Sequence, residues 1–326
     1  MFPEDLIESA HGPAYIRTSR FLPPGPRLYA PAHSRLWLHA LLFIATLFTT
    51  TLVGARMQYN FSHNLPFFDL ENDLNIFNIF TLALRSPALF FAGLPFSLTL
   101  LTILMAHELG HYLACVYYEI DATLPFFLPA PTPFTGTLGA FIRIRSAIYS
   151  KRVLFDIGIA GPIAGFIFLI PALGVGLAFS KIIPGINHQG SIQLGVPAFQ
   201  WILQKLIFPG VPAADIYLHP VARAAWVGMF ATALNLLPVG QLDGGHVVYA
   251  LLGRSHKWIT RTFLLALLPM GKWWYGWWFW AVLLFLFARR HPPVPDESDI
   301  GNQRIRLGVL ALVIFLLCFL VAPIIG

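Results

Sequence analysis

"LTLLTILMAHELGHYLACVYY", residues 98–118, has the length and apolarity of a bilayer-crossing helix, yet His107, Glu108 and His111 stand in its middle. About 20 apolar residues in a row suffice to cross the hydrocarbon. An ionisable group at the centre of such a helix costs about 2.5–3.5 kcal/mol on insertion scales, so three together need something that offsets the cost. The pattern H-E-x-x-H supplies it. Its two histidines share one helix face, one turn above the other. Imidazole nitrogens so placed reach a single Zn²⁺ at about 2.0–2.1 Å. Glu108 adjoins the first histidine and reaches a water on the metal; the metal lowers that water's pKa to about 7 and the carboxylate takes its proton.

The surrounding chain is built for lipid. It is 57% hydrophobic and 11% charged, against about 25% charged residues in a soluble domain. Apolar runs at 36–53, 94–118, 153–180, 221–238 and 305–325, with a hairpin-like pair near 256–270 and 273–289, predict an all-α polytopic membrane protein. About six or seven transmembrane helices are expected, with a small β element at the membrane. The first 35 residues are polar and Pro-rich without an apolar h-region, so no short cleavable signal is expected. The organisation read from this is an arm, 1–35, then a single membrane domain, 36–326. In that domain C-terminal helices fill 254–326. Trp273, Trp274, Tyr275, Trp277, Trp278 and Trp280 form an aromatic belt of the kind found at a membrane–water interface.

The net charge of +6 fits basic cytoplasmic loops better than nucleic-acid binding, which is excluded as a partner class. Arg17, Arg20, Arg27 and Arg35 mark the arm; Arg143, Arg145, Lys151 and Arg152 mark loop 119–152; Arg289, Arg290, Arg304 and Arg306 mark 289–306. Loops 54–93 and 181–220 are poor in Lys and Arg. The alternation places the N-terminus in the cytoplasm and sinks the His–Glu–His group about 16 Å from the basic loop. A prokaryotic plasma membrane is the compartment expected from the lack of a transit-like leader. The two cysteines, Cys115 and Cys318, fall inside spans and form no disulfide framework.

Catalytic zinc commonly takes three protein ligands, so a third is needed. Cys115 shares the helix face but lies about 12 Å from His107, too far for one ion to bind all three. Asp243, in "NLLPVGQLDGGHVVYALLG" (235–253), follows the Pro238 and Gly240 breakers and precedes Gly244 and Gly245, where unwound backbone can approach another helix. Its structural alternative is an N-cap for a helix over 245–252. His246 is a rival ligand, better suited to a supporting role.

HELGH at 107–111 together with NLLPVGQLDGG at 235–245 closely resembles the site-2 protease family of intramembrane zinc metalloproteases, whose second motif reads Asn-x-x-Pro-x-x-x-Leu-Asp-Gly. The resemblance covers about 94–253, including "DIGIAGPIAG" (156–165), and implies a three-helix catalytic core over that range with the other helices around it. It implies His107, His111 and Asp243 as zinc ligands, Glu108 as catalytic base, and Asn235 holding the substrate carbonyl or oxyanion. It also implies a transmembrane protein as substrate, within the lipid bilayer. Helix–helix hydrogen bonding is the structural alternative for Asn235. The Gly161/Gly165 spacing reads as close helix packing, and Asp156 as an i,i+4 partner of Arg152. No PDZ-like or CBS-like insert is visible.

A helical substrate must unwind before attack, and "FTGTLGAFIRIR" (134–145) offers a device for that. Residues 141–145 alternate like a strand after a Gly-broken turn, so an exposed edge could pair with substrate by β-augmentation. Gly136, Gly139 and Phe141 are the substrate-binding candidates on it. An ordinary surface loop, with "PFFLPAPTP" dipping into headgroups, is the alternative. Two rival classes remain open: a metal-ion transporter, and a non-catalytic scaffold for transmembrane segments.

Overall fold

A backbone in hydrocarbon finds no water to bond, so long apolar runs close their hydrogen bonds internally as helices. The computed structural model describes residues 35–68, 81, 85–130, 132, 134–190, 192–287, 294–296 and 298–325. The arm expected over 1–35, Arg35 apart, and the basic pair Arg289 and Arg290 lie outside the described residues. Helix α1, Leu36–Ser62, runs on past its expected end at 53. The short α2, Pro87–Phe91, leads into α3, Leu94–Tyr117, each with a proline in its first turn, where a missing N–H costs nothing.

Strands β1, Phe126–Pro129, and β2, Thr137–Phe141, then pair antiparallel, with Phe126 opposite Phe141 and Leu128 opposite Gly139. The strand therefore lies earlier than the alternation over 141–145 suggests; of that stretch Phe141 ends β2 and Ile144 forms an isolated bridge to Ala122. The reason is the partner. Phe126 stacks on Phe141 with ring centroids 5.5 Å apart, and Phe127 is buried, so the "PFFLP" stretch is a strand and not a headgroup loop.

Helix α4, Lys151–Ala178, carries Pro162 and Pro171 in its interior. Loop 181–220 is ordered throughout its described length. It holds β3 (Lys181–Ile182), β4 (Gln193–Leu194), helix α5 (Ala198–Ile207) and β5 (Ile216–Tyr217). Helices α6 (Pro220–Asn235), α7 (Asp243–Leu252), α8 (His256–Met270), α9 (Gly276–Phe287) and α10 (Asn302–Cys318) follow, then β6 (Ile324–Ile325). β3 pairs with β5, and β4 with β6. Among the described residues three helical stretches are long and apolar enough to cross a membrane: Leu36–Ser62, Pro87–Tyr117 and Lys151–Ala178, with mean hydropathies of 1.9, 2.1 and 2.2.

The core forms where α3 lies along α4, with α6 against both and α7 against α4. Phe155, Leu169, Leu173 and Met229 are sealed in it. The expected Arg152–Asp156 pair does not form. Arg304, in the first turn of α10, donates to Asp156 through Nε (2.9 Å) and Nη2 (2.6 Å), and the Tyr118 hydroxyl donates to the same carboxylate at 2.5 Å. Arg152 instead donates to the Asp299 carbonyl at 2.8 Å. A two-pronged guanidinium from another helix outcompetes a one-turn neighbour. Beside it, Ser150 Oγ and the Lys151 N–H both donate to Asp296, tying the stretch before α10 to the start of α4.

Candidate metal centre

The two histidines come from α3, which places His107 and His111 one turn apart with their rings 4.8 Å apart, both buried. Asp243 arrives from a different part of the chain. The α6 helix ends at Asn235, and the segment to Leu242 folds back so tightly that Gly244 and Gly245 lie against the carbonyls of Leu236 and Gly240, where a side chain has no room. Helix α7 then begins at Asp243 itself, with Leu242 as the N-cap. Asp243 is thus not a cap: its carboxylate points across to the histidines.

The three donor atoms form a nearly equilateral triangle. His107 Nε2 is 3.1 Å from Asp243 Oδ2, His111 Nε2 is 3.2 Å from the same oxygen, and the two Nε2 atoms are 3.1 Å apart. Ligands at 2.0–2.1 Å around a tetrahedral ion stand about 3.3 Å from each other, so the triangle fits one zinc. With the rings neutral, as metal ligation requires, hydrogen bonding alone explains it poorly. His111 Nδ1 lies 2.7 Å from the Ile157 carbonyl, which can only accept, so that nitrogen carries a proton and in the neutral ring Nε2 offers a lone pair. A lone pair facing a carboxylate oxygen at 3.2 Å is repulsive unless a cation lies between. Among the described residues, His107, His111 and Asp243 are the group of three whose ligand atoms converge this way; His246 and Cys115 are not part of it.

Helix α4 makes the second wall. Gly161 faces the His111 ring so closely that a side chain would displace it, and Gly165 packs more loosely against the His107 ring. Ile157 and Gly161 lie one turn apart, so one face of α4 supplies both the acceptor and the room. The sequence showed the glycine pair as helix packing; its contact with the ligand rings had no signal of its own.

Glu108 is 6% exposed and lines a cavity of about 140 Å³ together with His107, Asn235 and Leu138–Ala140. Gly228, Ala231 and Trp280 line it as well. Asn235 Nδ2 stands 3.0 Å from His107 Nε2. Of the three substrate-binding candidates, Gly139 borders this cavity, with an open space where a side chain would be. Gly136 lies elsewhere, against α1, its carbonyl accepting from Thr49 Oγ1 at 2.6 Å. Phe141 is on the β1–β2 hairpin, 45% exposed and stacked on Phe126. Leu138, Ala140 and Trp280 were not singled out from the sequence, because lining a cavity depends on how distant segments meet.

Comparison with known proteins gives this arrangement a class. The model of peptidase family M50 matches residues 95–271, more than half of the chain, and the protein belongs to that family. It is 32% identical over 236 residues to a rice protein named probable zinc metalloprotease EGY1, chloroplastic, covering 65% of this chain and 38% of the relative. The Arabidopsis protein of the same name is 29% identical over 89% of this chain and 54% of its own length. Arabidopsis EGY2, also named a probable zinc metalloprotease, is 29% identical over 71% of this chain and 42% of its own length. The match therefore spans only about half or less of these relatives. All three are named chloroplastic, which runs against the prokaryotic plasma membrane expected from the lack of a transit-like leader; N-terminal composition is a weak guide to compartment, and the membrane class is what stands.

Proposed function

We propose that this chain is an intramembrane zinc metalloprotease that hydrolyses peptide bonds within or near the transmembrane segments of membrane proteins. One observation carries the reading: three lone-pair donors, His107 Nε2, His111 Nε2 and Asp243 Oδ2, converge within 3.2 Å of one another beside the buried carboxylate of Glu108. The names of the relatives support zinc as the ion. When bound, zinc supplies Lewis acidity, polarising a carbonyl and making nearby water more acidic.

The chain's own residues do the rest. Glu108 accepts the proton of the attacking water and passes it to the leaving amine. Asn235 donates its amide N–H to the oxygen on which charge develops. His111 is held in one tautomer by the Ile157 carbonyl, so its ring cannot turn away. The β2 strand brings Leu138–Ala140 to the cavity wall, where an unwound substrate can lie beside it as an added strand. The small residues Gly139, Ala140, Gly228 and Ala231 leave space for its side chains.

The membrane arrangement that suits this chemistry has an N-terminal arm in the cytoplasm and a single membrane domain over 36–326. α6, of 16 residues, and α10, of 17, would be crossings beyond the three long stretches, with the α8–α9 hairpin completing six or seven. At about 24 Å, α6 is shorter than the hydrocarbon, and it can be because neighbouring helices enclose it and the bend to Asp243 needs a buried start.

Purified protein in proteoliposomes with single-span candidate substrates tests the function. Glu108→Gln should bind one zinc by elemental analysis yet yield no fragments, a loss of at least about 10³-fold. Cleavage at the wild-type rate by Glu108→Gln would remove the base and the mechanism with it.

A further inference from the structure

Arg223, in the first turn of α6, is buried to 2% exposure. Its guanidinium lies over the rings of Phe67 (4.3 Å) and Tyr217 (4.8 Å), and its Nη1 has no hydrogen-bond partner among the described residues. Among the described residues no carboxylate pairs with it. The nearby Asp215 is engaged elsewhere, accepting from the Gly185 N–H at 2.7 Å. Guanidinium does not give up its proton in proteins. Two aromatic faces recover only part of what a buried cation loses in leaving water. The position adds to the imbalance, since the N-terminal end of a helix already carries partial positive charge. His219, the N-cap of this helix, senses the same field: burial first, then Arg223 and Lys181, hold its pKa below the usual value.

Arg223 opens into a cavity with about 40 Å³ of space for the centres of water-sized atoms, room for about three of them. Gln200 and Gln204 of α5 face the same space, 2% and 4% exposed, and the Oε1 atom of each lacks a partner among the described residues. Asn187 and Gln193 complete a polar lining. Three buried side chains with unmet hydrogen-bonding capacity thus converge on one small space, and the only formal charge among them is positive.

We propose that this cavity is a binding site for one small monovalent anion, a halide or a short carboxylate, held by Arg223 Nη1 and bridged by water to the amides of Gln200 and Gln204. The anion neutralises the buried cation and complements the α6 helix end; attendant water donates to the two glutamine carbonyls, which an anion alone could not satisfy. The cavity volume limits the guest to a few heavy atoms. The inference is independent of the protease reading, because the site shares no residue with the metal centre.

The test is thermal unfolding of the purified full chain in detergent, at constant ionic strength, in sodium chloride, sodium formate or sodium gluconate. Gluconate is too large to enter. Chloride or formate should raise the unfolding midpoint by about 2–4 °C over gluconate, saturating with concentration. A response to formate alone assigns the site to carboxylates, and one to chloride alone assigns it to halides. Arg223→Met, similar in length and uncharged, should lose the anion-specific increment. If that variant does not fold, Gln204→Leu keeps the charge and should shift the saturation midpoint at least 3-fold higher. Identical midpoints in all three salts for the wild type, or an unchanged response in the variants, would overturn the proposal.

Discussion

Replacing Gly161 by alanine should cost the protein its metal, although the residue touches no ion. A Cβ built at Gly161 falls on the His111 imidazole, overlapping Nε2 and Cδ2; even the more distant Cε1 lies at only 2.5 Å. An ordinary contact begins at 3.4 Å, so the ring or the helix must yield by at least about 0.9 Å. Metal–ligand distances tolerate about 0.2 Å. The ring has no free direction, because its Nδ1 is bonded to the Ile157 carbonyl on the same helix. Zinc affinity should therefore fall by more than about 100-fold, at the upper end of or beyond the usual effect of disturbing a ligand's support. Gly165→Ala is the graded comparison: its Cβ would meet His107 Cβ at 3.1 Å and Nδ1 at 3.3 Å, a misfit of about 0.3 Å at most, so a loss below about 10-fold is expected. Gly174→Ala, on the same helix with nothing within 4 Å, should bind zinc as the wild type does and gain up to about 1 kcal/mol in helix propensity. Competition with a chromophoric chelator measures all three, and the visible spectrum of the Co²⁺-substituted protein reports the ligand geometry. Wild-type affinity in Gly161→Ala, or equal losses at 161 and 165, would refute the steric argument.

Two further outcomes follow from the ends of the helices. Arg304→Met leaves the Asp156 carboxylate, 22% exposed, without its cation; a loss of about 2 kcal/mol, seen as a midpoint lowered by about 4–8 °C in a thermal melt, is expected, and an unchanged midpoint would make the network ornamental. Asp296 is held down to a pKa of about 2, chiefly by the backbone N–H and hydroxyl of Ser298, from an ordinary 3.8. A depressed carboxyl stabilises above its unfolded pKa and loses that contribution as the pH falls through its folded value. Limited proteolysis at 294–300 should accordingly stay slow at neutral pH and accelerate between pH 4 and pH 2, whereas Asp296→Asn should be cut quickly at pH 7; equal rates in the two proteins would dismiss the tie to α4.

The convergence of His107, His111 and Asp243 could be read from the sequence because its logic is local. His107, Glu108 and His111 need only helical spacing, and Asp243 needs only a bend that lets backbone approach, which Gly244 and Gly245 announce. What surrounds them could not be read, since it depends on which distant segments meet. Arg152 and Arg304 stand equally well in the sequence as partners for Asp156, and the choice falls to Arg304 only because α10 crosses the start of α4. Gly161 and Gly165 announced a close approach without naming the neighbour. The strand slipped from 141–145 to 137–141 because its partner is the Phe-rich stretch at 126–129, which Pro125 and Pro129 disguise as a loop.

Helix α5 shows a deeper reason. Its glutamines, Gln200 and Gln204, are buried, whereas Trp201 and Leu206 are 53% and 73% exposed. In water such a helix would turn the other way, because burying apolar surface is what drives folding there. Beside a bilayer the apolar face finds its solvent in lipid, and the polar face is left to the protein. The same periodicity therefore specifies opposite orientations in the two solvents, and pattern alone names the face without saying which way it looks. An outward face of α5 seated against lipid would account for exposed Trp201 and Leu206 together with the polar cavity behind them, while Phe199 and Leu203 of the same helix still pack inward on the core. It would also account for a buried arginine and two buried glutamines meeting behind a helix that the sequence presents as an ordinary amphipathic segment.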